Sequence, residues 1–425
     1  MLERKPRRRR GIVAILVACS LIGILGATAI AVDGGLLQDN KRRTQAAADA
    51  AALAAASTIF QNYPTIAISG VFDPGGKAAA AAQAAATANG FPNNGTTSTV
   101  VVNIPPKSGP FAGKVSYAEV IITYNQPRYF SGIWSNATVL VRARAVAKGF
   151  WGGSGNGVIV LDPVAQYSLD ASGQGSVTVT GGAYFIVDSN NVQAARVTGG
   201  AAALTAAKFE ITGNTVGVFN GPVETGVLPT PDPLAYLPEP AKPADGVMTK
   251  STKSGFKTYY LTPGRYTNLP NFGNGDTVIL QQGGIYYIDG GGLTSTNGAS
   301  IIMDPNTKGG VMIYNAPNGT QTSQSINISG GIVNLSPLTS GPYKGLLFFQ
   351  ERTSPVPLSL QGQGGFTIHG TFYAANALMS VAGQGTNIIG SQYISRTLSM
   401  SGGGNTIIDY TPDGTAAERD ILLVE

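Results

Sequence analysis

Between Gly11 and Val32 the chain runs for 22 residues without a charged side chain or a proline, directly after the basic cluster Arg7, Arg8, Arg9 and Arg10. As an α-helix such a run is about 33 Å long, enough to cross the roughly 30 Å hydrocarbon core of a bilayer. The basic flank predicts its orientation, because Lys and Arg resist translocation and stay on the cytoplasmic side. The expected layout is a cytoplasmic basic segment (1–10), a transmembrane helix (11–32), and a chain from Asp33 onward that lies outside the cytoplasmic (inner) membrane. Membrane lipid is therefore the first expected partner. A cleaved secretory signal, cut near Ala29 or Ala31, is the competing reading. It fits less well, since the run exceeds the roughly 7–15 residues of a signal's apolar region.

The charge balance follows the same division. The first ten residues hold six basic side chains and one acid, which is the whole net charge of +5; the other 415 residues carry 22 of each sign. A sequence pI near 9.1 is thus no sign of a phosphate-binding surface, and no nucleic-acid partner is expected. The only thiol, Cys19, lies inside the apolar run, so the exported part is held by packing without disulfides.

Beyond Asp33 the sequence reads as one helix to about Phe60, ended by Pro64, with a second helix from Lys77 to Ala88 stopped by Asn89-Gly90. Asp33 is expected to close the span at the outer interface and to support the following helix through its dipole; a role in contacting an assembly platform is the alternative. Asp49 stands alone on an alanine face. The small side chains of Ala47, Ala51 and Ala55 predict close helix packing with a partner. Runs rich in β-branched residues at 99–104, 115–124 and 137–146 predict strands. Residues 33–150 then form a helical spine with an α+β head.

At Gly149-Phe150-Trp151-Gly152-Gly153 the composition changes. From 151 to 425, glycine clusters alternate with short β-forming runs, and Gly362, Gly383 and Gly402 are spaced by 21 and 19 residues. A period near 20 points to an all-β fold, a parallel β-solenoid, with a β-sandwich as the rival. A flexible linker is excluded by runs such as Leu346-Leu347-Phe348-Phe349, which are core material. Six prolines in the sixteen residues 228–243 predict an extended strap along the solenoid or a joint between two lobes.

Several of these elements carry a family resemblance. The basic start, Gly11 opening the apolar helix, Ala31-Val32-Asp33-Gly34-Gly35, the basic Lys41-Arg42-Arg43 and the alanine-rich stretch from Gln45 to Ala56 resemble the TadE/TadG-like Flp pilus-assembly family of the tight-adherence system. Residues 130–148 are similar to the end of the head domain in those proteins, and segments around 232–238, 261–266 and 345–410 look like exported parts attached to such anchors. The resemblance implies a pilin-like α+β stalk and partners among pilus-assembly or secretion-platform proteins. One departure is the residue five places after Gly11, which is Leu16 where prepilins carry glutamate. That departure favours an accessory, anchored component over a processed pilin.

Catalysis is not expected. Glycoside hydrolysis needs two facing carboxylates, whereas from Lys250 to Tyr410 the acids Asp276, Asp289, Asp304, Glu351 and Asp409 are isolated. The single histidine, His369, excludes a multi-histidine metal site, and no cofactor-binding motif stands in a supporting context. The expected function is a membrane-anchored structural component of Flp-type pilus assembly or tight adherence in the cell envelope. Its extracytoplasmic solenoid would contact envelope or surface polysaccharide. A β-helix polysaccharide-active enzyme and a non-adhesive scaffold are the alternatives.

Overall fold

The computed structural model describes residues 10–69, 72–133, 137–152, 155–199, 203–273, 275–296 and 298–425. The chain divides into two compact units, one of Met1–Trp151 with Asp420–Glu425 and one of Gly152–Arg419.

In the first unit α1 (Arg10–Ser69) is a single helix of 60 residues, about 90 Å long. Pro64 does not end it, contrary to the sequence expectation. A proline removes one backbone hydrogen bond and crowds the preceding turn, but its fixed φ is helical, and the backbone stays helical for five more residues. In α2 (Lys77–Ala88) the free N–H groups of Ala78 and Ala79 donate to Asp73 at 2.9 and 3.0 Å. The helix stops at Asn89-Gly90, where Gly90 takes a φ of 90° and the Phe91 N–H turns back to the Ala86 carbonyl at 2.9 Å. Three antiparallel strands follow, β1 (Ser98–Asn103), β2 (Tyr117–Gln126) and β3 (Val139–Gly152).

Residues 420–425 return beside β3, although the sequence reading placed all of 151–425 in the C-terminal part. Val146 donates its N–H to the Glu425 carbonyl at 2.7 Å and accepts from the Val424 N–H at 2.8 Å. Ile421 packs on the core of the first unit, and the Glu425 carboxylate meets Arg144 at 2.7 Å. Together these groups satisfy the outer edge of β3.

The second unit is rich in strands, almost all paired in parallel. Three ladders repeat one order of rungs. The first passes from Gly264–Tyr266 through Gly284–Asp289, Val311–Ala316, Leu346–Gln350, Thr371–Gly383 and Gln392–Gly402, then continues into Asn156–Val160, Tyr184–Val187, Lys208–Ile211 and Val223–Thr225. The second uses the distal halves of the two long strands, between Leu358–Gly362 and Leu169–Ser172. The third runs from Phe256–Leu261 to Ala203–Thr205 and is bordered at one edge by the antiparallel strand Met248–Lys253. In every ladder the earliest strands of this unit stand next to the latest ones.

Period-2 alternation sends one row of the first ladder inward: Tyr286, Ile313, Phe348, Phe372, Tyr393, Val158, Phe185 and Phe209 occupy successive rungs and share one buried core. Aromatic contacts such as Phe348–Phe372 and Phe372–Tyr393, with ring centres 5.0 and 5.2 Å apart, tie neighbouring rungs. The glycine clusters stack as well. Gly362 pairs with Gly383, and Gly383 with Gly402. Gly402 has a φ of 120°, and a Cβ there would stand 2.2 Å from the Gly383 carbonyl oxygen, so only glycine fits.

Candidate functional site

The first group of expected functional residues lies on α1. Arg7, Arg8 and Arg9 fall outside the described residues, and Arg10 opens the helix. Among the described residues one helix is long and apolar enough to cross a membrane. Its large side chains from Val13 to Ile30 are mostly exposed within the protein, including Ile15, Leu16, Ile22 and Ile24. Exposure of that much contiguous apolar surface demands a non-aqueous neighbour.

One of the two tasks expected of Asp33, support of a following helix N-terminus, is overturned. No helix begins after it, since α1 is continuous, so it serves no N-terminus. Its carboxylate instead accepts the N–H groups of Phe130 and Ser131 at 3.1 and 2.8 Å, which pins the segment after β2 to α1. An open cleft of about 500 Å³ lies beside it, lined by Gly26, Ala29, Ile30, Pro127, Arg128 and Val139 among others.

Ala47, Ala51 and Ala55 are buried, but their partner is the chain itself. They pack with Ala78, Ala82 and Ala86 of α2 and with Ala118, Val120 and Ile122 of β2 in one core. The face expected to receive another protein is already occupied, because alanine lets α2 and the sheet approach closely. The approach is close enough that a Cβ on Gly149 would lie 1.9 Å from the Ala56 carbonyl oxygen. Asp49 accepts from Gln45 at 2.8 Å, and the same Gln45 amide donates to the Arg144 carbonyl at 3.0 Å.

Sequence reasoning missed Glu119, a fully buried acid on β2. It accepts from Asn103 at 2.7 Å, from the Lys107 N–H at 3.1 Å, from Ser108 at 2.5 Å and from Arg144 at 2.7 Å. Burial opposes its ionisation, but these four donors outweigh burial and hold its carboxyl down at about 2. A lone acid inside the apolar run from Tyr117 to Tyr124 was the available signal.

In the second unit four of the five acids singled out from the sequence, Asp276, Asp289, Asp304 and Asp409, have a local structural partner. Asp276 is buried and accepts the Lys257 N–H at 3.0 Å. Asp289 pairs with Lys242 at 2.9 Å, and Asp304 closes a turn on the Asn306 N–H at 2.8 Å. Asp409 accepts from Thr180 at 3.0 Å and lies 3.8 Å from half-exposed His369. Glu351 is held above the usual carboxylate range by burial and by the nearby Glu239 charge.

The proline-rich segment crosses the outer face of the first ladder, where Tyr287, Tyr314, Phe349, Tyr373, Ile394, Ile159 and Ile186 form a second row. Leu234 and Leu237 bury themselves on that row. Polar clamps hold the segment at intervals. Thr230 donates its N–H to Asp188 at 2.8 Å, Tyr373 donates to Asp232 at 2.6 Å, and Arg352 reaches the Leu234 and Leu237 carbonyls at 3.1 and 2.7 Å. Further along, Lys242 meets Asp289 and Asp245 meets Arg265 at 2.7 Å. Burial pushes the Asp188 carboxyl up to about 6 despite the Thr230 donor; it also raises the Tyr373 hydroxyl, helped by the Asp232 charge.

Residues 11–58 match a protein family described as Putative Flp pilus-assembly TadE/G-like. The match takes in the apolar run, Asp33 and the alanine face. No curated protein matches the chain, and no solved structure does.

Proposed function

We propose that the chain is a membrane-anchored, non-enzymatic structural component of Flp-type pilus assembly or tight adherence. The observation that carries this reading is the coincidence of the family match over 11–58 with a helix whose apolar residues are exposed up to Ile30 and whose alanine face is buried from Ala47 onward. One element thus anchors and nucleates. Its basic start places the N-terminus in the cytoplasm, which puts everything after Asp33 on the far side of the cytoplasmic membrane. The first unit is a stalk of pilin-like plan, and the second is a β-solenoid whose three ladders are the faces of successive coils. Pilus-assembly or secretion-platform proteins are its partners, and envelope polysaccharide is a candidate ligand for the solenoid. The structural employment of Asp276, Asp289, Asp304 and Asp409 supports the non-enzymatic reading over a polysaccharide-active one.

A reporter fused after Glu425 that is active only beyond the cytoplasmic membrane is the expected topology result. Crosslinking from exposed positions of the first unit in cells should capture components of the pilus machinery. Cytoplasmic reporter activity would overturn the topology, and turnover of a polysaccharide abolished by replacing Glu351 or Asp289 would promote the enzyme.

A further inference from the structure

The cleft beside Asp33 and the segment that forms its outer wall have no role in anchoring by α1 alone. Asp33 follows the apolar run directly, and its two hydrogen bonds fix Phe130 and Ser131 at that level. The cleft extends from there toward Gly26, seven residues earlier on α1 and so about 10 Å deeper along the helix axis. Ala29 is only 5% exposed while its neighbour Ile30 is 78% exposed, so something covers one side of α1 inside the span. Pro127, Arg128, Ser131 and Val139 face that side across the cleft.

The same segment shows large apolar side chains to the outside: Tyr129 is 64% exposed, Ile133 77% and Leu140 67%. In water this apolar surface would stand without compensation. An outer leaflet would compensate it, since an aromatic ring with a polar tip and an aliphatic side chain are both favoured there. Exposed Arg128 lines the cleft together with Asp33, a cation suited to a lipid phosphate. Gly26 and Gly34 keep the α1 wall bare, with nothing within 4 Å of a Cβ at either position.

We infer that residues 127–133 are a second membrane contact, inserted in the outer leaflet beside α1, and that the cleft between them receives an acyl chain of an outer-leaflet phospholipid. The inference rests on the reading of α1 as a membrane span. It makes the head bind the bilayer at two places, which restrains it from rotating freely about its anchor.

Single cysteines in a Cys19→Ala background test this, at Ile133→Cys for the segment, Leu21→Cys for the span and Asn94→Cys for an exposed turn in water. The full chain is reconstituted in phosphatidylcholine vesicles, and the environment-sensitive fluorophore NBD is attached at each site. Labels at 21 and 133 should both emit at blue-shifted wavelengths and be quenched by nitroxide lipids, with the label at 94 unquenched. A label at 133 that behaves like the one at 94, with 21 still in lipid, overturns the inference and leaves the anchor intact. Labels at both 21 and 133 in water overturn the span and the inference together. For the cleft, native mass spectrometry should find a phospholipid retained by the unaltered chain and lost from Gly26→Phe. Equal retention by both would overturn the acyl-chain assignment.

Discussion

Asp188 allows a quantitative test of how the proline-rich segment is held. Its side chain is buried, and among the described residues its hydrogen bond comes from the Thr230 N–H at 2.8 Å. Burial raises its carboxyl to about 6, against about 3.9 in an unfolded chain. The folded protein therefore binds the proton more tightly than the unfolded one. Stability from this group is greatest below about pH 4 and falls as pH rises through 6. The rise from about 4 to about 6 corresponds to about 3 kcal/mol of stability lost once the pH exceeds 7. Asp188→Asn keeps an oxygen for the Thr230 donor and removes the charge. Urea unfolding of the detergent-solubilised protein, followed by the β-sheet circular dichroism signal from pH 4 to 8, should show variant and parent equal near pH 4. The variant should become more stable by up to about 3 kcal/mol at pH 7.5. A difference that does not change with pH, or a variant less stable at pH 7.5, would refute the argument that the cost is desolvation of a charge.

Three further outcomes follow from the packing. Gly402→Ala combines an unfavourable φ with a backbone collision and should cost about 4 kcal/mol, whereas Lys308→Ala, at an exposed site, should stay within about 0.5 kcal/mol; equal unfolding midpoints would show that the glycine column is slack. Ala51→Leu should lower the melting temperature of the first unit, since it overfills a buried site at a cost of about 1–3 kcal/mol or more, and an unchanged melting curve would return this face to an external partner. Glu119→Gln should cost about 3 kcal/mol near neutral pH. The folded carboxyl titrates lower than the unfolded one, so this contribution is present above about pH 4.5 and lost as pH falls toward 2; a deficit that persists unchanged at pH 2 would contradict that origin.

The sequence was most legible where a local pattern decides the outcome. The apolar helix through Gly11 to Val32, α2 from Lys77 to Ala88 and the starts of β1 to β3 follow from hydropathy, alanine content and β-branched runs. Its long-range consequences were not legible. Nothing local distinguishes an alanine face turned to another protein from one covered by the chain's own α2, and Asp33 accepts from residues almost a hundred positions away. Gly383 illustrates the same limit: the positive φ in its cluster falls on Gly385, and in the stack on Gly402, but not on Gly383 itself. At Gly383 a side chain would instead crowd Thr406, whose hydroxyl oxygen lies 2.6 Å from the added Cβ. The neighbourhood of Asn156–Val160 and Gln392–Gly402 was also hidden, because each run is an ordinary strand by itself.

That neighbourhood sets the timetable by which the chain becomes a protein. Asn156 and Gln392 are 236 positions apart and joined by a hydrogen bond, so the strand that begins the second unit waits for one made near its end. At a synthesis rate of about 5–20 residues per second, the wait is roughly 10–50 s. Through that interval Asn156–Val160 and Leu169–Ser172 each present an unpaired edge, a template for the wrong neighbour. The rungs cannot simply accumulate in the order they emerge; two blocks must form and then dock, and so distant a contact is slow to find. A chain interrupted before Gln392 keeps both edges open to mispairing.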